Sequence, residues 1–82
     1  MINTLMRIDN ILADLTSGDF GSIAFRSDLE TVAHDLMLRN RKYEACNLLV
    51  TFGRLLECGK KKQGKVIESL RIFLNDARQI FL

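Results

Sequence analysis

Between Arg41 and Gly59 the apolar residues Ala45, Leu48, Leu49, Phe52, Leu55 and Leu56 recur at intervals that place them on one face of an α-helix. No proline occurs anywhere in the 82 residues, so no ring clash or missing N–H interrupts a helix at any point. Helix is therefore the expectation for every apolar run, and the stretch from Arg41 to Gly59 is the one around which the others pack.

The remaining runs follow the same pattern. Asn3 or Thr4 caps a first helix carrying Leu5, Ile8, Leu12 and Leu15, widened by Ile11, and Gly18 ends it. The turn SGDFGS follows, with Phe20 closing the end of the core. A second helix starts at Asp19 or Ser22 and runs to about Arg39 on Phe25, Leu29, Val32 and Leu36. Ser27 and Glu30 have the spacing of a capping box, which would break this helix near Arg26. The apolar stripe crosses that point in phase, so one continuous helix is expected. Asn40 takes the left-handed conformation in the next turn. Gly53, inside the third helix, costs up to about 1 kcal/mol relative to alanine and marks the close approach of a neighbouring helix. CGKKKQGK reads as a third connection, and a fourth helix runs from Lys65 to Phe81 with a wide apolar face. Short connections make antiparallel neighbours, so the fold class is all-α: a small up-and-down bundle of about four helices in one domain, residues 1–82.

With 48% hydrophobic and 27% charged residues, the chain can supply both a core and a solvated surface. It contains no apolar run long enough to span a membrane, and its first residues lack the pattern of a secretory signal. The expected location is the cytoplasm. Cys46 and Cys58 lie on one helix about 18 Å apart, too far for the roughly 7 Å a disulfide requires. Free thiols suit a reducing compartment. Charge is uneven: residues 1–38 carry two bases and six acids, residues 39–65 eight bases and two acids. Such an asymmetry means either a basic docking face or charge matching between neighbouring helices.

Candidate chemistry is sparse. His34 is the only histidine, and no nucleophile stands beside it in the sequence. His34, Cys46 and Cys58 lack the paired spacing of a zinc site, and GKKKQGK lacks the preceding strand and the ending of a phosphate-binding loop. A helix-turn-helix over the second and third helices would put apolar and acidic residues where base-reading side chains belong. The third helix mixes Arg41, Lys42 and Arg54 with Glu44 and Glu57, which argues against a cationic membrane-surface helix. No catalytic residue, metal or cofactor is assigned.

The run from Leu12 to Ile80 resembles the FIMAH family of small helical bacterial modules. The likeness lies in Ser17, Gly18 and Asp19, then Leu29, Ala33, His34 and Leu36, then Ala45, Leu48, Leu49 and Phe52, and last Leu70, Leu74, Asp76, Ala77 and Ile80. It covers about four fifths of the chain. The resemblance implies a bundle that acts as a non-catalytic interaction module, usually appended to secreted or surface enzymes. Two thiols, an initial methionine and the lack of an export signal depart from that pattern, as does Asn40 where the family commonly has glycine. In length, basicity and helix order the chain is also similar to pediocin-type bacteriocin immunity proteins, which are cytosolic four-helix bundles.

The expected function is a non-catalytic protein–protein interaction module that binds another protein or a second copy of itself. Its surface would be Val66, Ile67, Leu70, Phe73, Leu74 and Phe81 of the fourth helix, with the groove beside the third. The alternative is nucleic-acid or anion binding through Lys60, Lys61, Lys62 and Lys65.

Overall fold

The computed structural model describes residues 3–82. The single unit expected over residues 1–82 includes Met1 and Ile2, which lie outside the described residues. Among the described residues the chain forms four α-helices: α1 (Thr4–Ser17), α2 (Ile23–Leu38), α3 (Lys42–Glu57) and α4 (Lys60–Phe81).

Their ends follow from local chemistry. The Asn3 side chain accepts the Met6 N–H at 2.9 Å and starts α1. Gly18, at φ 82°, ends it, and the N–H of Asp19 returns to the Asp14 carbonyl. Ser22, rather than Ser27, caps α2 by accepting the Phe25 N–H at 3.1 Å, and the helix runs unbroken through Ser27. At its far end Asn40 adopts φ 62° while the N–H groups of Asn40 and Arg41 bond the carbonyls of Met37 and Leu36. That pairing satisfies the last carbonyls of α2 and turns the chain into α3.

One boundary differs from expectation. The lysine run is no loop: α4 begins at Lys60, and Cys58 and Gly59 alone connect it to α3. Lysine and glutamine are good helix formers, and Gly64 costs about 1 kcal/mol in a helix interior without forbidding it. Two glycines in one short segment therefore overstated the break.

The short connections make each helix antiparallel to the next. α1 packs on α2 and α4, and α3 packs on the same two from the other side. Ile8, Ile11 and Leu15 of α1 meet Phe25, Leu29, Val32 and Leu36 of α2 in the interior. Ala45, Leu48, Phe52 and Leu55 of α3 and Val66, Leu70, Leu74 and Ala77 of α4 complete it, and the rings of Phe25 and Phe52 pack 5.6 Å apart. Phe20 packs against the end of this core. The radius of gyration, 11.8 Å, matches the roughly 12 Å expected of a compact chain of this length.

Polar contacts tie α1 to both its neighbours. Arg7 reaches Asp28 at 3.0 Å, and the Thr4 hydroxyl donates to Asp35 at 2.7 Å, both across α1 and α2. Arg78 of α4 places its Nε 3.2 Å from Asp9 of α1, an ion pair whose angle leaves that N–H without a hydrogen-bond acceptor.

Candidate interaction surface on the third helix

The six residues expected to form a partner surface on α4 divide in two. Val66, Leu70 and Leu74 are 7%, 0% and 0% exposed, covered by the chain's own helices, so they are corrected from partner surface to core. The apolar face of α4 is turned inward, toward α1 and α3. Ile67, Phe73 and Phe81 are half-buried and packed against that core. The Arg39 guanidinium stacks over the Phe81 ring at 4.6 Å, closing the end of the bundle.

Of the ten exposed large hydrophobic residues among the described residues, four lie on α3, more than on any other helix. Leu49, Leu56, Val50 and Tyr43 are 45%, 55%, 62% and 77% exposed, and Cys46 is exposed among them. Tyr43, Cys46, Val50 and Gly53 repeat at three, four and three residues, as do Cys46, Leu49, Gly53 and Leu56. These are two adjacent stripes on the outer face, opposite Leu48 and Leu55. Sequence spacing had assigned Leu49 and Leu56 to the core stripe. The signal for the outer stripe was the helical repeat of Tyr43, Cys46 and Val50, masked by the more regular repeat beside it.

Gly53 belongs to both stripes, towards the C-terminal end of this face. Among the described residues no atom beyond its chain neighbours and its own helix backbone lies within 4 Å of where its Cβ would be, so the expected close approach of a neighbouring helix does not occur there. Its missing side chain instead opens a groove of about 440 Å³ between α2 and α3. Phe52 lines this groove with Gly53, Leu49 and Leu56, and the ion-paired Arg26 and Glu30 of α2 line its other side. Towards the α1–α2 turn it continues into a smaller hollow lined by Phe20 and Ile23.

The bases divide into paired and unpaired sets. Arg7, Arg26, Arg41, Arg71 and Arg78 are in ion pairs. Among the described residues the other seven bases, Arg39, Lys42, Arg54, Lys60, Lys61, Lys62 and Lys65, are in none, and all fall between positions 39 and 65. Among the described residues the lysine run pairs with no acid, Asp14 and Asp19 included. Lys62 and Lys65 instead line a second hollow with Arg54, Glu57, Cys58 and Val66, at the C-terminal end of α3.

His34 is exposed, and its neighbour Asp35 is engaged by Thr4. Among the described residues no three His, Cys, Asp or Glu side chains gather where they could hold a metal ion. Nor is any described helix long and apolar enough to cross a membrane. No protein family, curated protein or solved structure matches the chain.

Proposed function

We propose that this protein is a non-catalytic interaction module that docks another macromolecule on the outer face of α3. The observation that carries the reading is the pair of exposed apolar stripes meeting at Gly53, beside an open groove. Solvent-facing helix positions usually hold polar residues, and a contiguous apolar strip on a small bundle marks a contact surface. The glycine adds to this. It weakens α3 where alanine would be stronger, and no intrachain contact requires it. The resemblance to an interaction module points to the same class.

Binding of nucleic acid through Lys60, Lys61, Lys62 and Lys65 draws support from their lack of acidic partners among the described residues. Four lysines without an aromatic beside them supply phosphate contact but no base stacking. It is the weaker reading.

A photo-crosslinking residue at Val50, compared with one at the exposed Asn75 of α4, tests the docking reading in the source cell. Position 50 is expected to give a discrete protein adduct that position 75 does not. Equal labelling, or none at position 50, removes the reading.

A further inference from the structure

We infer that the occupant of the α3 face is an acidic amphipathic helix of another protein, with acids at both its ends and an apolar stripe between them. The inference rests on the docking reading above and adds the partner's chemistry.

Charge selects the class. The apolar strip from Tyr43 to Leu56 is about 20 Å long, enough for nearly four turns of an incoming helix. Lys42 stands at one end and Arg54, Lys62 and Lys65 at the other, outnumbering Glu57. None of these four bases is in an ion pair among the described residues, whereas Asp9, Asp28 and Glu30, on α1 and α2, are all engaged within the chain. The strip therefore presents an apolar middle between two basic ends, and its complement is apolar in the middle and acidic at both ends.

Shape selects a helix. The notch at Gly53, flanked by Leu49 and Leu56, accepts one large apolar side chain from the ridge of a packed helix. A second copy of this chain fits poorly. Around each end of α3 the bases outnumber the acids, Arg41 and Lys42 against Glu44 and Arg54, Lys62 and Lys65 against Glu57, so α3 against α3 in either direction sets one net cationic end upon another. A flat anionic lipid surface would not fill the notch.

The test uses two fluorescein-labelled helical peptides of about 18 residues that share a leucine stripe. One has glutamates in its first and last turns, the other lysines. Anisotropy titrations of the full chain are expected to give saturable binding of the acidic peptide, weakened by salt and by Lys42→Glu, with the basic peptide at least about tenfold weaker. Gly53→Leu should abolish binding while helical circular dichroism and the melting transition persist, because its side chain meets open space. Equal binding of the two peptides overturns the acidic partner, as does unaltered binding by Gly53→Leu. Saturable binding to phosphatidylserine vesicles with neither peptide bound overturns it in favour of lipid. Failure of both peptides alongside a Val50 adduct in the cell ends this inference and leaves the docking reading standing; failure of the adduct as well ends both.

Discussion

Gly18 and Gly53 do opposite things with the same missing side chain. Gly18 holds a left-handed φ of 82° at the end of α1, where a Cβ is strained whatever the space around it. Gly53 lies in regular helix with open space at its Cβ position, so its only effect on folding is to weaken α3. Gly53→Ala is expected to stabilise the protein by about 1 kcal/mol, and Gly18→Ala to destabilise it by about 1–2 kcal/mol. Urea denaturation of the two variants against the parent measures both. A Gly53→Ala variant less stable than the parent would mean that α3 has a close neighbour there after all.

Among the helices, α3 and α4 exchange the roles their sequences suggest. α4 carries the wider apolar face, but that face is divided between α1 and α3. α3 has the more regular core stripe and keeps a second one outside. Leu70→Ala in α4 is accordingly expected to cost about 2–5 kcal/mol, the range for a cavity left in a packed interior. Val50→Arg in α3 should change stability by no more than about 0.5 kcal/mol, as for other exposed positions. The two melts compared side by side decide the matter: a large loss from Val50→Arg would place that residue in the fold rather than on a docking surface.

Over the whole molecule, acids and bases are sorted by position in the chain. Ion pairs link α1 to α2 and to α4, while among the described residues the bases from Arg39 to Lys65 have no acidic partner apart from that of Arg41. A molecule with net charge +2 and with that excess gathered at both ends of one helix repels its own copies there. Sedimentation equilibrium at low salt is expected to return the mass of one chain. A dimer that persists at low salt would contradict the argument from charge and reopen self-association through α3.

The helices, most of their caps and the central core residues are legible in the order of the amino acids alone. Those depend on neighbours within a turn or two: Asn3, Gly18 and Asn40 act on backbone groups a few positions away, and the stripe of Phe25, Leu29, Val32 and Leu36 is a property of helical spacing alone. The start of α4 was misread because glycine signals a turn only when its backbone leaves the helix, and Gly59 and Gly64 look alike in sequence. Only the tertiary structure decided which apolar stripe faced inward. Burial depends on where the neighbours of a helix sit: α3 and α4 each pack on two helices, yet the wide face of α4 is turned toward its neighbours while Tyr43, Cys46, Val50 and Gly53 of α3 face away from theirs.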